Sequence, residues 1–149
     1  MYHTILVPLD GSKRAEAILP HVEELAKRYD AEVILMQVMD FSLVMWPTGS
    51  FPGQTWQELL TQIGERAESY LAQAGSELRA KGIKARTLLA EGPEVEAIVT
   101  AAEREGADLV ALASHGRTGL AQVFYGSVAA GVLHRIDRPL LLIRSQNAG

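Results

Sequence analysis

The sequence predicts an α/β fold: a single five-stranded parallel sheet, doubly wound, with helices on both faces. Three observations predict it. Short apolar runs alternate along the chain with segments whose apolar residues recur at three- and four-residue steps. The short runs are almost continuously apolar, as strands buried on both faces must be. Glycines and prolines punctuate the changes from one pattern to the other, at Pro8, Gly82, Gly92-Pro93 and Gly106. Strand–helix alternation of this kind gives a parallel sheet, and right-handed crossovers wind it in both directions.

The elements follow in order. Ile5-Leu-Val7 reads as a short buried strand that Pro8 is expected to end. Ser12 is the expected N-cap of a first helix, with Ile18, Leu19, Val22, Leu25, Ala26 and Tyr29 on one face. Glu32 to Val38 gives the second strand. Residues 41–55 hold Trp46, Pro47, Gly49, Phe51, Pro52 and Gly53, too broken for a regular element and longer than most connections. A surface loop with aromatic anchors, a flap over a ligand and a partner contact all fit that composition. Trp56, Leu59, Leu60, Ile63, Ala67, Tyr70, Leu71, Ala74 and Leu78 mark one face of a long second helix, stopped near Gly82. Lys84 to Ala90 is the third strand. Gly92-Pro93 opens a helix with Val95, Ile98, Val99 and Ala102 inward, and Gly106 closes it. Leu109 to Ala113 is the fourth strand, Gly126 to about Ile136 the fourth helix, and Leu140 to Ile143 the fifth strand.

Composition narrows the function. A chain of 149 residues is best read as one domain, 1–149, with 48% hydrophobic and 21% charged residues, the balance of a soluble globular protein. A net charge of −4 offers no basic stripe for a nucleic-acid backbone. The chain has no cysteine, so neither a disulfide framework nor a thiolate metal site is available. His3, His21 and His134 are dispersed rather than paired, and no protein-ligated metal is expected. No segment approaches the roughly 18 apolar residues of a membrane span, and the N-terminus lacks the pattern of an export signal. A cytoplasmic protein is the expectation.

The most informative stretch is Ala113-Ser-His-Gly-Arg-Thr-Gly-Leu-Ala-Gln-Val-Phe-Tyr-Gly-Ser127. It joins a predicted buried strand to a predicted helix start. Gly116 and Gly119 leave no Cβ in the way of an approaching ligand. Gly126-Ser127 opens the next helix, whose first amides lack intrahelical partners and carry partial positive charge. Such an arrangement suits a phosphate chain, although any tight turn also uses glycines. It is neither of the two common phosphate motifs: no Gly-x-x-x-x-Gly-Lys-Ser/Thr occurs, and no Gly-x-Gly-x-x-Gly follows the first strand. Arg117 in this loop offers a planar fork of donors to phosphate charge, and His115 a backbone amide. Ser127 offers a hydroxyl at the helix start, and Val128 the next amide.

Gly116, a nine-residue gap and then Gly126-Ser127 resembles the signature of the universal stress protein family. Ser114 to Gly119, the opening Tyr2 to Ser12 and the ending Arg138 to Arg144 resemble it too, in the same order, so the likeness runs nearly end to end. It implies a Rossmann-like sheet of strand order 3-2-1-4-5, with strands 1 and 4 adjacent and a ligand crevice outside their carboxyl ends. It further implies ATP, or another adenine nucleotide, accompanied by Mg²⁺ held largely by phosphates and water. Asp10 would lie beside adenine and ribose, the Val38 backbone would meet adenine, and Pro8 and Leu9 would add backbone and apolar contact. Asp10 also reads as a turn or cap residue. Ala113 stands where the family's motif has its first glycine. The resemblance also implies a homodimer joined through the apolar edge 140–143. Three functions follow: an ATP-binding sensor or switch, a slow ATP hydrolase or nucleotide-dependent transferase, and a dimeric interaction protein that binds no nucleotide. Efficient catalysis is not indicated, because Asp10 and His115 have no recognisable catalytic partner.

Overall fold

A computed structural model describes residues 1–40, 55–114 and 126–145. Five parallel strands form one sheet in the order β3-β2-β1-β4-β5. They are β1 (Thr4–Leu9), β2 (Glu32–Met39), β3 (Lys84–Glu91), β4 (Leu109–Ser114) and β5 (Leu140–Arg144). The helices are α1 (Leu19–Tyr29), α2 (Trp56–Ala80), α3 (Glu94–Arg104) and α4 (Ser127–Arg135). The predicted fold class and strand order are those observed.

Alternation along the strands sorts the core into two layers. Ile5, Val7, Leu9, Val33 and Leu35 meet Val22 and Ala26 of α1 and Leu71 and Leu78 of α2 on one face. Leu6, Ile34, Met36, Val110 and Leu112 meet Ile98 and Ala102 of α3 and Ala129 and Val132 of α4 on the other. The winding reverses between β1 and β4. That reversal leaves a crevice at their carboxyl ends, where the helices of parallel β–α units also begin.

Several local expectations need correction. Pro8 does not end β1; it lies within the strand opposite Met36. Pairing to β2 continues to Leu9, whereas the paired residues toward β4 are Ile5 with Leu109 and Leu6 with Val110. A residue without N–H is tolerated where the ladder on one side has already ended. The first helix does not start as an α-helix at Ser12. A 3₁₀ turn, Ala15–Ile18, comes first, and Ser12 Oγ accepts from the Ala15 amide at 3.1 Å just before it. At α2 the cap is Thr55, whose hydroxyl accepts from Glu58 N (3.1 Å) in a reciprocal capping box.

Trp56 is exposed rather than packed, and Leu59, Leu60 and Ile63 are only half-buried. Length explains this. The 25 residues of α2 span about 37 Å. The eight of β2 span about 26 Å. Because Gly82 returns the chain at once into β3, the excess projects at the helix N-terminus, beyond the strands' carboxyl ends.

The opposite end of the sheet is fastened by polar groups. Asp108 accepts from the His3 amide (2.8 Å) and the Thr4 amide (3.2 Å), clipping β1 to β4. The Arg138 guanidinium donates to the carbonyls of Ala102 (3.0 Å) and Ala107 (2.9 Å), satisfying the tail of α3.

Candidate functional site

The crevice beyond the β1–β4 pairing is a cleft of about 230 Å³ lined by residues from both sides of the switch point. Pro8, Leu9 and Asp10 come from the end of β1, Val38 from β2, Ala113 from β4, and Ser127 and Val128 from the start of α4. All seven were expected at the site, and the fold gathers them on one cleft. Gly126 adjoins it as the N-cap of α4. His115, Gly116, Arg117 and Gly119 lie outside the described residues.

Asp10 has two employments, as its position suggested. Oδ1 accepts from the Ser12 amide (2.9 Å) and the Ser12 hydroxyl (2.5 Å), which fixes the turn, while the residue also faces the cleft. Ala113 sits in β4 opposite Ile143 and is not among the residues with positive φ. Standing in place of a glycine, it therefore carries no backbone strain. Gly126 has φ 85° and ψ 150°, a region open essentially to glycine alone. It carries no side-chain cap for α4, so the first amides of that helix face the cleft end without one.

Six lining residues were not foreseen: Arg14, Ala15, Glu94, Ile98, Leu112 and Ala129. Ile98 and Leu112 extend the apolar wall that Val38 and Leu9 begin. Glu94, the first residue of α3, and Arg14, just before the 3₁₀ turn, bring charge. Glu94 is half-buried; burial first, then the charges of Asp10 and Asp40, raise its carboxyl pKa above the usual range. Arg14 Nε is buried and has no hydrogen-bond partner among the described residues. Neither residue belongs to a recognisable motif. The signal that could have found them is topological: in a parallel sheet the first turns of the helices gather at the strands' carboxyl ends.

Among the described residues, the cleft thus joins an apolar slot, two carboxylates, one guanidinium and a helix N-terminus. That is a chemistry for a flat apolar group carrying hydroxyls and an anionic tail. Among the described residues, no helix is long and apolar enough to cross a membrane.

Comparison with known proteins agrees with this geometry. Residues 1–144 match the model of the "Universal stress protein family". The chain is 32% identical to universal stress protein MJ0577 of Methanocaldococcus jannaschii, over 99% of this chain and 98% of that one. The solved structure of that hypothetical protein superposes with a TM-score of 0.79 at 31% identity, covering 99% of each chain. A universal stress protein in complex with cAMP has a TM-score of 0.71 at 21% identity, covering 97% of this chain and 98% of its own. A universal stress protein from Archaeoglobus fulgidus in complex with dAMP has a TM-score of 0.66 at 21% identity, covering 95% and 98%.

Proposed function

This chain belongs to the universal stress protein family, and from that premise we propose that it is an ATP-binding module acting as a nucleotide-dependent sensor or switch. The observation that carries the reading is the cleft at the β1–β4 switch point, where an apolar slot meets the N-terminus of α4. Solved structures of this fold in complex with cAMP and dAMP support an adenine nucleotide; at 21% identity they establish the fold, and the chemistry rests on this chain's own cleft.

Adenine suits the wall of Val38, Leu9, Ile98 and Leu112. The ribose hydroxyls suit Asp10 and Glu94, as donors facing carboxyl oxygens. The phosphates suit the open amides of Ser127 and Val128 at the positive end of α4. At about 230 Å³ the cleft falls below the ~300–1,000 Å³ of pockets that enclose a whole ligand. It therefore holds the nucleoside end and leaves the phosphate chain at its rim, where Mg²⁺ can accompany it with water and phosphate as ligands. The reading takes slow hydrolysis at most as the expected chemistry, since efficient phosphoryl transfer needs a group that orients the attacking water.

β5 is an edge strand whose Leu140, Leu141, Leu142 and Ile143 all remain half-exposed. An apolar edge of that kind is a template for a second copy, and the reading includes a homodimer joined there.

Calorimetric titration of the purified chain with ATP and AMP, preceded by native mass spectrometry for co-purified ligand, tests the binding. Saturable binding of an adenine nucleotide is expected. No detectable heat or mass shift at millimolar ATP rejects the reading.

A further inference from the structure

Among the described residues, the cleft holds one cation that the fold leaves unused. Arg14 lines it, yet its buried Nε meets no acceptor among the described residues, and its guanidinium forms no ion pair with Asp10 or Glu94 on the same lining. Other guanidiniums do find acceptors. Arg86 bridges Glu32 (3.1 Å) and Glu105 (2.7 Å), and Arg138 takes two backbone carbonyls together with Asp137. Leaving a buried guanidinium donor unsatisfied is costly in the free protein, and an acceptor carried by a ligand in the cleft would relieve that cost.

Charge arithmetic names the acceptor. The N-terminus of α4 supplies roughly half an elementary charge. A nucleoside monophosphate brings close to two negative charges, and Asp10 is already on the lining. The helix end alone leaves the occupied site strongly negative. Among the described lining residues, Arg14 is the side chain that adds positive charge, in a planar fork that matches two phosphate oxygens.

We propose that Arg14 is a ligand-contacting residue of this cleft, its guanidinium gripping a phosphate of the bound nucleotide. The inference rests on the nucleotide reading above and adds a specificity to it: the site prefers phosphorylated nucleosides to free ones, through this side chain. Arg14 matches the shape of the ligand's anion, and the amides of α4 meet the same anion from the far side of the switch point.

The test is calorimetry with three probes, adenosine, AMP and ATP, on the wild-type chain and on Arg14→Met and Arg14→Lys. Methionine keeps much of the length and apolar stem without the donors. Arg14→Met is expected to weaken AMP and ATP about 10- to 100-fold while changing adenosine by less than about threefold. Arg14→Lys, which keeps the charge but not the fork, is expected to recover part of the loss. The ligand-free melting temperature of Arg14→Met should equal or exceed that of wild type, because no protein hydrogen bond is lost. Wild type binding ATP with Arg14→Met binding it equally overturns the inference and leaves the nucleotide reading standing. Parallel loss of adenosine and ATP with a lowered melting temperature also overturns it, making Arg14 structural. A wild type that binds none of the three probes removes both.

Discussion

Glu94 shows how a single side chain can weaken the fold that carries it. Its carboxyl pKa is raised, chiefly by burial and then by Asp10 and Asp40. The folded chain therefore holds this proton more tightly than the unfolded chain, whose value lies near 4.3. The associated stability is fully present below that value and is lost as pH rises through the folded one. At neutral pH Glu94 therefore costs the fold stability, and Glu94→Gln should raise the melting temperature there. Melts from about pH 4 to 7.5 check it: the gain should fade toward the acid end, and a gain independent of pH would exclude this cause. Asp10, Val38 and Ser127 were legible in the sequence because each sits in a recognisable string or at a recognisable element end. Glu94 and Arg14 were not, because only the winding of the chain brings them to the same crevice. Gly126 was legible as the opening of a helix but not as a backbone requirement; its φ of 85° with ψ of 150° means that a side chain there strains the chain.

At the scale of elements, the contact between α3 and α4 is set by one missing methyl. A Cβ built on Gly131 would stand 2.6 Å from Val95 Cγ2 and 3.2 Å from Cγ1, and a β-branched side chain has little freedom to retreat. Gly→Ala inside a helix ordinarily gains about 1 kcal/mol. Overpacking ordinarily costs about 1–3 kcal/mol. The second effect should win, so Gly131→Ala is expected to lose about 1 kcal/mol, or roughly 2–4 °C. Adding Val95→Ala should recover part of that loss, and a double-mutant cycle from chemical denaturation reads the coupling. The alternation of elements was legible almost throughout, since burial on two faces leaves its period in the chain. Element ends were less so. Pro8 stays in β1 because the ladder toward β4 stops early, and the 3₁₀ opening before α1 depends on Ser12 and Asp10 bonding locally. Neither is a matter of local preference alone.

Across the whole molecule, the two edges of the sheet are treated oppositely. β3 presents exposed Lys84 and Arg86, with Arg86 tied to Glu32 and Glu105, a charged border that discourages pairing. β5 presents leucines. The Val110 amide donates to Pro139 and the Ser145 amide to Ser114, so the alternation of a parallel ladder points the backbone groups of Leu140, Leu142 and Arg144 away from β4. For the proposed dimer, Leu142→Pro removes one outward donor without touching the β4 ladder. It should shift the chain toward monomer in analytical ultracentrifugation while the far-ultraviolet dichroism is kept; an unchanged dimer would place the interface elsewhere. One feature gives this edge a second meaning. With Ile5–Leu109 and Leu6–Val110 as the paired residues between β1 and β4, the sheet is two ribbons, β3-β2-β1 and β4-β5, stitched at a short seam. Any guest lodged past the stitching touches both ribbons and biases the twist between them. Since β5 rides on the second ribbon, a second copy resting on its border in the proposed dimer would feel that bias.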